Sequence, residues 1–312
     1  MIEFILFILG IIGIWFFAGI VVDAAQRIAR HFNISEAFMG LTIISIGTSL
    51  PEISTHIIAS IDILKGIETS GIAVGTNIGS NIIQITFVLG LVALLTKVYS
   101  NKTILKRDYL IMLATILFLF LLSLDGKISR IEGAILATLY IGYLIWLGTK
   151  EKIIEHNEFK TNYWLDSFLI IAGIAALFYS ANLVVNNALK ISDLWGLSGS
   201  FIGTVIIGVS TALPELTVAL RAILKGSTGI SLGTLVGSNI TNPMLALGIG
   251  AIISGYTMDS ILTYFDLPFW FFVSLIALLF FWKNLRISKK EAIMLIIAYL
   301  IYVALKLKLF MH

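Results

Sequence analysis

Apolar residues along this chain run in long, almost unbroken stretches, and polar residues gather into short clusters between them. A helix rises 1.5 Å per residue, so about 20 mainly apolar residues cross the hydrocarbon of a bilayer. Ten such stretches stand out, near residues 2–22, 33–60, 69–97, 104–123, 131–148, 164–187, 197–224, 229–256, 263–282 and 289–308. They predict an all-α integral membrane protein of ten transmembrane helices. The first lacks a basic lead-in and a small-residue cleavage site, which predicts a membrane helix rather than a signal peptide. The one strongly polar connection, Lys150 to Asn162, leaves five candidates on either side. Residues 1–149 and 164–312 therefore read as two halves, joined by a linker at 150–163.

Composition fits a membrane protein: 58% of residues are hydrophobic and 12% charged, against about 25% charged in soluble domains. Placement of basic residues carries more information than their number. Loops on one side of the expected spans hold fifteen of the 21 Lys and Arg, among them Arg27, Arg107, Lys150, Arg221 and Lys283 to Lys290. The other side holds Lys65, Lys127, Arg130, Lys190, Lys306 and Lys308. The positive-inside rule makes the first side cytoplasmic, which puts the linker in the cytoplasm and both termini outside. Without cysteine the chain has no disulfide or thiolate metal site.

The halves match where polar residues enter the apolar stretches. Ser45-Ile46-Gly47-Thr48-Ser49-Leu50-Pro51-Glu52-Ile53 in the second stretch aligns with Gly208-Val209-Ser210-Thr211-Ala212-Leu213-Pro214-Glu215-Leu216 in the seventh. Gly75-Thr76-Asn77-Ile78-Gly79-Ser80-Asn81-Ile82 in the third aligns with Gly233-Thr234-Leu235-Val236-Gly237-Ser238-Asn239-Ile240 in the eighth. With an odd number of spans per half, the second copy must enter the membrane in the opposite sense. That is an inverted repeat with discontinuous helices two and seven, an architecture of secondary transporters.

Glu52 and Glu215 are the acids predicted deep within spans, and an ionised carboxylate there needs a partner. No Lys or Arg lies near either, so a divalent cation or protons must balance the pair. Each glutamate follows a proline that removes an amide donor, and Gly47 and Gly208 help break the helix so that main-chain oxygens turn inward. Carbonyl and carboxylate oxygens suit hard cations such as Ca2+ and Na+. Ser80 and Ser238, with Gln84 and Asn242 one turn later, divide between ion ligation and interhelical hydrogen bonding. His56, one turn beyond Glu52, reads as a packed residue, and the run Phe269-Trp270-Phe271-Phe272 reads as lipid-facing.

At these residues the sequence resembles the sodium/calcium exchanger family of the calcium/cation antiporter superfamily, whose paired repeats carry Gly-Thr-Ser-x-Pro-Glu and Gly-Ser-Asn signatures. The resemblance covers nearly the whole chain. It implies Ca2+ held by Glu52, Glu215 and the main-chain oxygens of Thr48 and Thr211. It also implies flanking Na+ positions formed by the Ser45 and Gly208 carbonyls with the Ser80 and Ser238 hydroxyls. Helices one and six become a pair that slides to open the site to one side at a time. Gln84 and Asn242 stand where archaeal members carry Asn and Asp, and Asn242 argues against potassium coupling.

Two other transport readings accompany Ca2+/Na+ antiport: a Ca2+/H+ antiporter, in which protons titrate the glutamates, and a channel, which needs a continuous pore. No His-Glu-x-x-His, protease-type aspartate pair or Ser-His arrangement supports an enzyme. No prosthetic group, nucleic acid or protein partner is implied; the expected surroundings are the bilayer and the transported ions, and a monomer suffices.

Overall fold

The computed structural model describes residues 2–150, 161–194 and 212–310. Its helices are α1 (Ile2–His31), α2 (Glu36–Thr48), α3 (Leu50–Leu64), α4 (Ser70–Leu95), α5 (Lys102–Asp125) and α6 (Arg130–Lys150). The second half supplies α7 (Tyr163–Leu194), α8 (Leu213–Leu224), α9 (Thr228–Ser254), α10 (Leu262–Asn284) and α11 (Lys289–Phe310). Among the described residues, seven helices are long and apolar enough to cross a membrane, or eight if α2 and α3 count as one span bent by 41°. The protein is thus a mostly helical membrane protein. Helix α11, with 22 residues, is not in that set.

Loops alternate between two ends. At one end the α1–α2 turn meets the α8–α9 turn through Ser227 and Glu36, hydroxyl to carboxylate at 2.5 Å, and Tyr99 pairs with Arg286. At the other end β1 (Lys127–Ile128) pairs antiparallel with β2 (Tyr256–Thr257), so hairpin-like loops of both halves meet. Beside β2, hydrogen bonds from Ser70 and Thr257 hold the Glu68 carboxyl below its usual range.

The helices that carry the duplicated Gly-Ser-Asn motifs lie innermost. In α4 and α9, 72% and 78% of the best apolar window is buried, against 33% in α1 and α6. Small residues make this possible. A Cβ on Gly40 of α2 would lie 2.7 Å from the Ile230 carbonyl, and one on Gly233 of α9 2.7 Å from the Ala37 carbonyl, so the two backbones touch there. Helices α1 and α7 approach likewise, since a Cβ on Gly10 would meet the Ser180 carbonyl at 3.0 Å. Close backbone approach of this kind is how helices gain packing energy where lipid offers no hydrophobic drive.

Several local devices recur at matching places in the halves. Ser129 and Glu132 form a capping box before α6, and Ser288 and Glu291 form one before α11. Five-residue π segments open at Gln84 in α4 and at Asn242 in α9, and again at Leu105 in α5 and Leu262 in α10. Tyr143 of α6 donates to buried Asp108 of α5 at 3.1 Å, as Tyr302 of α11 donates to buried Asp266 of α10 at 2.9 Å. The balancing cations differ: Arg107 for Asp108, Lys306 for Asp266. Lys306, counted from sequence among the cations of the less basic side, is 8% exposed, and its ammonium bonds Asp266 at 2.7 Å.

Charges also fasten α1 to its neighbours. Lys225 of α8 reaches Asp23 at 2.5 Å and the Gly19 carbonyl at 2.9 Å, while Arg221 donates to the Trp15 carbonyl and lies over its ring. Arg27 pairs with Asp166 of α7 at 2.7 Å.

Candidate cation site

Both glutamates sit in the first turn of a helix. Ser49 breaks the chain between α2 and α3 at φ −83°, ψ 3°, and Ala212, in the matching place before α8, has φ −86°, ψ −1°. Pro51 and Pro214 follow at once, where a missing N–H costs nothing because first-turn amides lack helical acceptors anyway. The positive ends of two helix dipoles therefore flank the carboxylates.

Glu52 is 2% exposed and Glu215 fully buried, and they are close enough to repel each other. Glu52 Oε1 accepts from the Ser80 hydroxyl at 3.0 Å, whereas Oε2 has no protein donor. Neither oxygen of Glu215 has one, although the Thr48 and Ser238 hydroxyls face it. Thr48 Oγ1 and Ser238 Oγ are 3.4 Å apart. Asn242 Oδ1 is likewise buried and without a donor, and so is the Ser49 hydroxyl at the helix break. Buried polar oxygens are nearly always paired, so three such exceptions on the two neighbouring acids describe a hard-cation donor set. Among the described residues no group of three or more His, Cys, Asp or Glu gathers, here or elsewhere, so the donor set is two carboxylates with neutral oxygens.

The other sequence-derived site residues divide. Ser80 touches Glu52, and Ser238 lies beside Glu215. The Ser45 hydroxyl donates to the Leu41 carbonyl at 2.8 Å and stands 3.5 Å from Thr241, while its own carbonyl accepts from Thr48 Oγ1 at 3.3 Å and the Ser49 amide at 3.0 Å. Gln84 spends its nitrogen on Ser80 at 3.2 Å and its oxygen on Asn239 at 2.9 Å. Thr211 and Gly208 lie outside the described residues. Two expectations about neighbouring residues resolve differently. His56 is packed, as read, between Tyr256 and Asn77. Trp270 does not face lipid: it is 0% exposed and donates its indole N–H to Asn239 at 2.9 Å, whereas Phe272 is 61% exposed. A helical period places one residue of that aromatic run inward, beside Val273, Ser274 and Ala277.

Sequence reasoning passed over Asn77, Asn81 and Asn239, which carry the hydrogen bonds behind the site. The signal was available, since Asn81 and Asn239 end the duplicated Gly-Ser-Asn motif.

The sequence profile of the sodium/calcium exchanger protein family matches residues 2–149 and 166–308. An uncharacterized membrane protein of Methanocaldococcus jannaschii is 34% identical, over 96% of each chain. The sodium/calcium exchanger MaX1 of Methanosarcina acetivorans is 28% identical, covering 96% of this chain and 97% of its own. A solved structure of the sodium-calcium exchanger NCX_Mj, soaked with 2.5 mM Na+ and 10 mM Sr2+, superposes with a TM-score of 0.86 at 32% identity, over 97% of this chain and 98% of that one. Paired helix breaks, paired glutamates and these matches across both halves lead to one conclusion: the chain belongs to the sodium/calcium exchanger family.

Proposed function

We propose that the protein is a secondary antiporter that exchanges Ca2+ for Na+ across the membrane by alternating access. The observation that carries this is the set of three buried oxygens without protein donors, on Glu52 and Glu215, held between two helix N-termini. In this reading Ca2+ is a substrate bound by both glutamates, with the Thr48 and Thr211 main-chain oxygens completing its shell. Na+ takes flanking positions near Ser80, Ser238, Ser45 and Gly208. The sodium/calcium exchangers among its relatives support the choice of ions.

The architecture proposed with it is ten spans in two inverted five-helix halves, residues 1–149 and 164–312, with spans two and seven discontinuous. Recurring capping boxes, π segments and Asp–Tyr pairs support it. Residues 150–163 form a cytoplasmic linker and both termini lie outside, because the basic loops collect at one end. The chain works as a monomer in the bilayer.

Obligatory exchange follows from charge. An empty site holds two carboxylates, and moving them past an apolar gate carries a large desolvation cost. One Ca2+, or two Na+ in its place, neutralises the pair, so only loaded states cross. The test is 45Ca2+ uptake into liposomes loaded with Na+, beside vesicles carrying only an outward proton gradient. Uptake driven by Na+ alone is expected; uptake driven by protons alone would replace this reading with Ca2+/H+ exchange.

A further inference from the structure

We propose that two amide pairs, each joining one half to the other, decide from behind the site which atoms the cation meets. His56, Asn77 and Asn81 hold the Asn242 amide so that its oxygen is offered to the cation, whereas Trp270 and Asn239 hold Gln84 so that it offers an N–H. Gln84 is then a positioning residue for Ser80 and Glu52, and Asn242 alone supplies an amide ligand. This rests on the cation site proposed above and deepens it.

The direction of each chain of hydrogen bonds is fixed by groups that can act in only one sense. In the first, Asn77 Nδ2 lies 2.9 Å from the Asn242 main-chain carbonyl, an obligatory acceptor, so that atom is the nitrogen. The same NH2 lies 2.9 Å from His56 Nε2, which must therefore be the bare, accepting nitrogen. His56 Nδ1 then carries the proton and donates to the Tyr256 hydroxyl at 2.9 Å, which donates in turn to the His56 carbonyl at 3.1 Å. Asn81 Nδ2 sits 3.0 Å from the Asn77 carbonyl, again an obligatory acceptor. Asn81 Oδ1 is consequently free to accept from Asn242 Nδ2 at 3.1 Å. With its nitrogen committed, Asn242 presents Oδ1, which has no donor, one turn beyond Ser238 on the same helix face.

In the second chain the fixed point is a donor. The Trp270 indole can only donate, so the atom it meets is Asn239 Oδ1. Asn239 Nδ2 lies 2.9 Å from both the Leu235 carbonyl and Gln84 Oε1. Gln84 must then point Nε2 at Ser80, whose hydroxyl passes its proton to Glu52. Asn81 matches Asn239, and Gln84 matches Asn242, in the duplicated motifs. The two pairs are thus equivalent in position and opposite in polarity, because Leu235 stands where the first half has Asn77.

Two measurements test this independently. The chain has 4 histidines. In 15N spectra of histidine-labelled protein, with His56 assigned by its loss in His56→Gln, we expect a protonated Nδ1 and a bare Nε2. A protonated Nε2 would overturn the proposal whatever ion the protein carries. In Na+-driven 45Ca2+ uptake, Asn242→Leu should raise the half-saturating Ca2+ concentration about tenfold, and Gln84→Met, which removes only a positioning contact to Ser80, should raise it less, about threefold. Equal shifts in both would overturn it. Asn77→Leu should raise half-saturation severalfold with the maximal rate kept, and should add nothing in an Asn242→Ala background; independent, additive effects would sink the relay. Thermal melts confirm that each variant is folded. A parent protein with no Na+-driven uptake would instead refute the transport reading, and the histidine spectrum would still decide the relay.

Discussion

The two glutamates look alike in sequence and differ in their surroundings. Ser80 already satisfies one oxygen of Glu52, whereas both oxygens of Glu215 lack a donor. Glu215→Gln should therefore weaken Ca2+ exchange more than Glu52→Gln, both losing at least about tenfold, or roughly 1.4 kcal/mol, in apparent affinity. Half-saturating Ca2+ in the uptake assay measures this, and the reverse order would contradict the assigned contacts. Both acids were legible from sequence because a buried charge stands out against apolar neighbours. Trp270 was not, because in an all-apolar helix the inward and outward faces look the same, and only the position of Asn239 on another helix decides which side is inside. Lys306 could be assigned to a side from sequence, but its partner Asp266, 40 residues earlier, could not be read there.

At the scale of elements, span boundaries were well marked where both ends are polar. The stretch expected at 104–123 is α5, Lys102–Asp125, and that at 131–148 is α6, Arg130–Lys150. Helix α1 runs to His31, well past the apolar stretch, because Asp23 and Arg27 find partners on α8 and α7. The break between α2 and α3 was expected from Pro51 and falls two residues before it, at Ser49. Packing gives two predictions at this scale. Gly40→Ala would drive a methyl into the backbone of α9 and should destabilise the protein by about 1–3 kcal/mol, seen as a lower melting temperature. Lys306→Met leaves Asp266 buried and unbalanced, at a cost of about 3–5 kcal/mol, and adding Asp266→Asn should recover part of the loss. A double variant no more stable than Lys306→Met would show that the charge pair is not what holds α10 to α11.

For the whole molecule, the strongest expectation from sequence alone is sidedness. No native cysteine complicates labelling, so single cysteines at Lys152 in the linker and at Lys127 beside β1 can be probed in sealed cells with an impermeant thiol reagent. Lys127→Cys should react from outside and Lys152→Cys only after permeabilisation; the opposite pattern would invert the proposed orientation. The structure bears on the same question, because the contacts Ser227 to Glu36 and Tyr99 to Arg286 gather loops at the basic end. The π segments carry a different kind of information. Each holds one residue more than the α-turn it replaces, and such segments sit at matching places, to within a residue, in α4 and α9 and in α5 and α10. Two unrelated insertions would have little reason to coincide twice. On the inverted repeat proposed above, the extra residues are older than the divergence of the halves, carried by the five-helix unit before it was copied.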